Sequence, residues 1–62
     1  EFTMEKKGTE VSIRVLSPRF SESYTLLFTR FLEGILEAFG YAVTYEEVGR
    51  GNIRLEAAKK DS

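Results

Sequence analysis

Between Tyr24 and Phe39 the chain carries more apolar surface than a helix resting on one small sheet requires. At about 100° per residue, with Tyr24 set to zero, Leu27, Phe28, Phe31, Ile35, Ala38 and Phe39 fall within roughly 60° of the origin. Leu32 and Leu36 extend the stripe to about 120°, giving an apolar arc of roughly 200° where a surface helix needs little more than 100°. The surplus predicts a second apolar neighbour, most simply another copy of the chain. In this reading Phe31 and Ile35, at the centre of the stripe, face the sheet. Leu32 and Leu36 lie at its rim and form the protein interface.

Size points the same way. A chain of 62 residues makes one domain and buries only about 60% of the surface its unfolded form exposes. Small domains compensate with disulfides, a structural metal or oligomerisation. Cys and His are both absent, which removes the first and leaves a transition metal without its usual ligands. A homo-oligomer is therefore expected, with a dimer favoured because two-fold pairs are the commonest closed assemblies.

Glu1-Phe2-Thr3 precede Met4, and Glu-Phe is the dipeptide encoded by an EcoRI cloning site. These three residues read as a cloning scar and are set outside the fold, leaving a single domain over 4–62 with an ordered core over about 9–58. Without Glu1, nine acidic residues balance nine basic ones, so there is neither an acidic nor a basic footprint. With no leader pattern and no apolar run of membrane-spanning length, the chain reads as cytoplasmic and free of the membrane. Absent Gln, a lone Asn52 and 31% charged residues lean towards a thermophilic source.

Alternation outlines the remaining elements. Val11, Ile13 and Val15 alternate with Ser12, Arg14 and Leu16, the period of a half-buried strand over 9–16. Ser17-Pro18 ends it and offers a helix start, with Ser21 and Ser23 as competing caps. Gly40 is the natural helix stop. Tyr41, Val43 and Tyr45 alternate with Ala42, Thr44 and Glu46, and Ile53, Leu55 and Ala57 alternate with Arg54 and Glu56. Gly49-Arg50-Gly51-Asn52 between these strands is a hairpin signal. Residues from Lys59 to Ser62 are expected to fray.

The predicted fold is α+β, a β-α-β-β chain with a three-stranded antiparallel sheet, the last strand central and one long helix packed on one face. Val11, Ile13, Val15, Val43, Ile53 and Leu55 are expected to face the helix, with Tyr41 and Tyr45 sharing the parity of Val43. Ser12, Arg14, Thr44, Glu46, Arg54 and Glu56 then line the open face.

No catalytic, cofactor-binding or metal-ligating residues are predicted. Without His or Cys there is no neutral-pH base or thiolate nucleophile. Ser17, Ser21 and Ser23 would need a lysine base, yet Lys6, Lys7, Lys59 and Lys60 sit in the charged ends; the serines read as caps and turns. Glu33 and Glu37, one helical turn apart, read as a solvated face with Arg30. Glu46 and Glu47 point to opposite faces of a strand. Gly49-Arg50-Gly51 lacks a third glycine and precedes a strand, so it is a turn and not a dinucleotide fingerprint.

Three functional readings follow. The first is a non-enzymatic, self-associating binding module, an accessory or regulatory subunit of a larger complex that includes a protein partner. The second is a nucleic-acid-binding protein whose oligomer gathers Arg14, Arg50 and Arg54, where planar five-donor forks suit phosphates. Glu46 and Glu56 dilute the positive field there, and no exposed aromatics for base stacking are expected. The third is a small-ligand carrier, with the ligand enclosed between subunits, although most of the 13% aromatic residues are expected in the core.

Overall fold

The computed structural model describes residues 1–60. Four strands and one helix follow one another as β1 (Phe2–Lys7), β2 (Glu10–Leu16), α1 (Glu22–Ala38), β3 (Tyr41–Gly49) and β4 (Asn52–Lys59). The fold is α+β, with α1 packed on one face of an antiparallel sheet, but the sheet has four strands instead of three. Its order is β1-β2-β4-β3, so it differs from the three-stranded expectation by a strand added outside β2.

The added strand comes from residues set outside the domain on sequence grounds. Phe2 and Thr3 stand opposite Val15 and Arg14, and the ladder runs on to Lys7 opposite Glu10. A two-residue turn, Gly8-Thr9, closes this hairpin with Gly8 at φ +62°, a left-handed conformation that only glycine adopts without a Cβ penalty. With Glu1-Phe2-Thr3 set aside, only Met4-Glu5-Lys6-Lys7 remained, too short and too charged to read as a strand. Lysines at the end of an edge strand are instead a common guard against edge-to-edge pairing.

At the other end of the chain, Lys59 pairs with Tyr41, and the Lys60 N–H donates to the Gly40 carbonyl at 2.8 Å. These two residues are held, contrary to the expected fraying. Asp61 and Ser62 lie outside the described residues.

The helix starts at Ser21, whose Oγ accepts from the Tyr24 N–H at 3.1 Å. Ser17-Pro18 instead makes a turn closed by the Phe20 N–H to the Ser17 carbonyl at 3.0 Å. At the far end Gly40, at φ +86°, stops the helix. The helix backbone runs along β3 and β4, and its side chains reach across to β2.

The helix is rotated from its expected phase. Thr25, Thr29, Leu32 and Leu36 are its buried residues, and they pack with Val11, Ile13, Val15, Ile53, Leu55 and Ala57 into one core. Leu32 and Leu36 are each 6% exposed, whereas Phe31 is 60% exposed. This reverses the expected placement of Phe31 at the sheet and of Leu32 and Leu36 at a free rim. Buried threonines account for the reversal: Thr25 Oγ1 donates to the Ser21 carbonyl and Thr29 Oγ1 to the Thr25 carbonyl, both at 2.8 Å. A hydroxyl satisfied by its own helix costs little to bury, so the sheet accepts these small side chains and the bulky aromatics turn away.

Strand β3 also departs from simple alternation. Tyr41, Ala42 and Val43 stand opposite Lys59, Ala58 and Ala57, but Tyr45 stands opposite Glu56, with a bulge at Thr44 between them. One extra residue flips every later side chain to the other face. Tyr45 and Glu47 consequently join the open face, while Glu46 and Val48 turn to the helix side opposite Leu55 and Ile53. Both Tyr45 and Glu46 thus lie on the faces opposite to those expected.

Candidate interaction surface

The rotation of the helix creates the most conspicuous feature of the molecular surface. On a helical wheel the buried residues centre near 110°, and Tyr24, Leu27, Phe31, Ile35 and Phe39 form a second apolar strip centred near 0°, about 110° round from the sheet. All five are exposed, with Phe39 reaching 72% and Leu27 65%. The strip is organised: Phe20 meets Tyr24 edge-on with ring centroids 4.6 Å apart, and Phe28 meets Phe20 at 5.7 Å. Phe28 also lies nearly parallel to Phe31 at 6.1 Å, so the aromatics form a continuous row along the helix flank.

That flank looks over β1. Phe2, Met4 and Lys6 share the helix-side face with Val15, Ile13 and Val11, their register partners, and Phe2 and Met4 remain exposed. Ile35, Leu36 and Phe39 from the helix and Phe2, Met4 and Ile13 from the hairpin line a single groove of about 440 Å³. The exposed strip and the bare strand are therefore one surface, a step with the helix as riser and β1 as tread.

The opposite flank of the helix is polar and faces β3. Arg30 Nη1 donates to Glu33 Oε1 at 3.0 Å. Glu33 also meets Glu46, which the bulge has turned to this side; their shared hydrogen bond pushes Glu46 above the usual carboxylate range and holds Glu33 below it. Glu33 is thus engaged with Glu46 and Arg30 and not with Glu37. Among the described residues no three acidic side chains converge as metal ligands would.

Within one copy Arg50 lies apart from Arg14 and Arg54. Arg14 and Arg54 stand directly opposite each other on β2 and β4, on the open face. Arg54 lies 3.5 Å from Glu56 and stands opposite Glu47 of β3. Tyr45 is on this face too, its hydroxyl donating to Glu47 Oε1 at 3.3 Å. Arg50 sits at the β3–β4 turn beside Glu22 and Ser23 at the helix N-terminus.

Leu32 and Leu36, expected in a protein interface, are core residues; Leu27, Phe31 and Phe39, with Phe2 and Met4, occupy the exposed position instead. The signal was present in the sequence as a 4-3-4 spacing of Thr25, Thr29, Leu32 and Leu36, one full seam of a packed helix once threonine counts as a core residue. Among the described residues no helix is long and apolar enough to cross a membrane. Comparison with known protein families, characterised proteins and solved structures yields no match to this chain.

Proposed function

We propose that the chain is a cytoplasmic, non-enzymatic binding module that self-associates and serves as an accessory or regulatory subunit of a larger complex. One observation carries this reading: the exposed apolar strip of α1 is continuous with the bare Phe2 and Met4 of β1. Soluble monomers rarely keep a contiguous apolar patch beyond a few hundred Å². Seven side chains on this step, at roughly 150–250 Å² for each aromatic, leave about 700 Å² bare. A standard stable interface takes about 800 Å² from each partner.

Sedimentation equilibrium of the unmodified chain at micromolar concentration tests the proposal. A dimer mass supports it and a monomer mass overturns it. Phe31→Glu, at an exposed position, is expected to abolish association while keeping the far-ultraviolet circular dichroism of the folded chain.

A second reading, nucleic-acid binding, draws on the direct cross-strand pairing of Arg14 with Arg54 and on Tyr45 beside them. Glu47 and Glu56 on the same face weaken it, since like-signed phosphates would meet carboxylates there. Its test is the double change Arg14→Ala and Arg54→Ala. A large, salt-dependent loss of affinity for a mixed-sequence oligonucleotide would place this reading first.

A further inference from the structure

We infer that two copies interlock, each helix lying on its own sheet and on the bare β1 of the other, so that both helices sit side by side between two sheets. The inference rests on the self-association proposed above and specifies its geometry. Three observations lead to it.

The first is the width of the sheet. Four strands about 4.8 Å apart span roughly 14 Å between the outermost two, and packed helices stand about 8–10 Å apart. The backbone of α1 runs along β3 and β4, and its Leu32 and Leu36 close over Val11, Ile13 and Val15 of β2, so the lane left open lies over β1 at the edge of the sheet. Phe2 and Met4 mark that vacant lane with exposed apolar side chains.

The second is what lies on top of α1. A helix with only one sheet beneath it should present polar residues directly opposite that sheet. Past the hydroxyl of Ser23 near 260°, the position about 180° from the buried seam holds Gly34, Leu27 and Ala38, near 280°, 300° and 320° on the same wheel. All three are exposed. A Cβ built at Gly34 would meet nothing within 4 Å, so no contact within the chain requires glycine there, although it costs a helix interior about 1 kcal/mol relative to alanine. A second sheet lying over the helix accounts for both the leucine and the small residues beside it, since small side chains let the layers approach.

The third is self-complementarity. The riser of the step offers an apolar ridge and the tread offers Phe2 and Met4 of β1 as an apolar bed, so a two-fold axis seats each ridge on the other's bed. The helix flanks, with Phe31 and Ile35 at their centre, then meet across the axis. Every apolar residue of the helix except Leu26 is buried in this arrangement, and the polar arc with Arg30, Glu33 and Glu37 stays in water.

Single cysteines test the arrangement, because the chain has none of its own. Met4→Cys and Leu27→Cys are both at exposed positions, and Met4 of one copy should lie under Leu27 of the other. Equal amounts of the two variants are mixed, unfolded and refolded together, and treated with a short bismaleimide. Cross-linked dimer in the mixture, with none from Met4→Cys alone, supports the interlocked pair. Cross-linking of Met4→Cys to itself, or a dimer by sedimentation with no mixed product, overturns the interlock in favour of β1 edges pairing or another contact, and leaves self-association standing. A monomer by sedimentation overturns both. If either variant fails to fold, isotope-filtered nuclear Overhauser spectra on a half-labelled sample of the unmodified chain decide the matter: intermolecular contacts between the Met4 and Leu27 methyl groups support the interlock, and their absence from a dimer overturns it.

Discussion

Thr25 Oγ1 accepts a hydrogen bond from the backbone N–H of Gly51 at 2.9 Å while donating its own proton to the Ser21 carbonyl. A single buried hydroxyl thereby joins the first turn of α1 to the tip of the β3–β4 hairpin. Thr25→Val preserves the shape but strands the Gly51 N–H without a partner, at a cost of about 1–3 kcal/mol. At about 4–8 °C per kcal/mol for a domain near this size, the melting temperature should fall visibly. Thr25→Ser keeps the hydroxyl and loses one methyl, about 0.8 kcal/mol. Thermal unfolding that ranks serine below valine would refute the assignment.

Gly51 is constrained in a second way. Its φ is +69°, and an added Cβ would stand 2.3 Å from the Ser17 carbonyl oxygen, which belongs to the same turn whose N–H donates to the Gly51 carbonyl at 2.7 Å. Gly8, at φ +62°, has open space around it. Gly8→Ala should therefore cost only the left-handed penalty of about 1–2 kcal/mol, and Gly51→Ala should cost clearly more, because the two turns must also separate. Urea unfolding of both variants measures the difference.

Leu36 and Phe31 lie on the same helix with opposite fates. Leu36→Glu places a charge inside the core, where truncation of a leucine alone costs about 2–5 kcal/mol, and is expected to unfold the domain. Phe31→Glu is expected to leave a folded monomer. Circular dichroism read together with sedimentation distinguishes the two, and a folded Leu36→Glu chain would contradict the burial described here.

The Glu33–Glu46 pair predicts a specific pH dependence. Glu46 is raised by the hydrogen bond it shares with Glu33, so its contribution is present below the ordinary carboxylate value and is lost as pH rises through its folded value. Glu33 is lowered, chiefly by the same bond, so its contribution is present above the ordinary value and is lost as pH falls through its folded value. The pair holds best with one proton, in the window between the two. Glu46→Gln supplies that hydrogen permanently. It should raise the melting temperature slightly at pH 7, by no more than the roughly 0.5 kcal/mol expected of a surface change, and the gain should shrink towards pH 4. A gain that grew on acidification would sink the idea.

Alternation and turn chemistry made β2, the helix and the β3–β4 hairpin legible, since Val11-Ile13-Val15, Gly40 and Gly49-Arg50-Gly51-Asn52 each report local physics. The apolar excess of the helix was legible too, but its phase was not, because hydropathy counts Thr25 and Thr29 as polar although their hydroxyls are satisfied within the helix. The bulge at Thr44 had a trace: Val43 and Val48 have opposite parity, so both can face the helix only if one residue between them is extra. Strand β1 was hidden by its charges and by the discounting of Phe2 and Thr3. Arg50 stands apart from Arg14 and Arg54 within one copy because a turn residue need not share the face of the strand it follows.

Strand β4 pairs with β2 on one side and β3 on the other, yet it is the last of the four to be synthesised. Until Asn52–Lys59 leaves the ribosome, the N-terminal hairpin and the helix with β3 have no ladder in common, and a two-stranded hairpin is barely stable by itself. Closure therefore waits for long-range pairing, which slows folding, and it occurs as one event. A chain shortened before Asn52 is left as two disconnected halves, with its apolar helix open to whatever it meets.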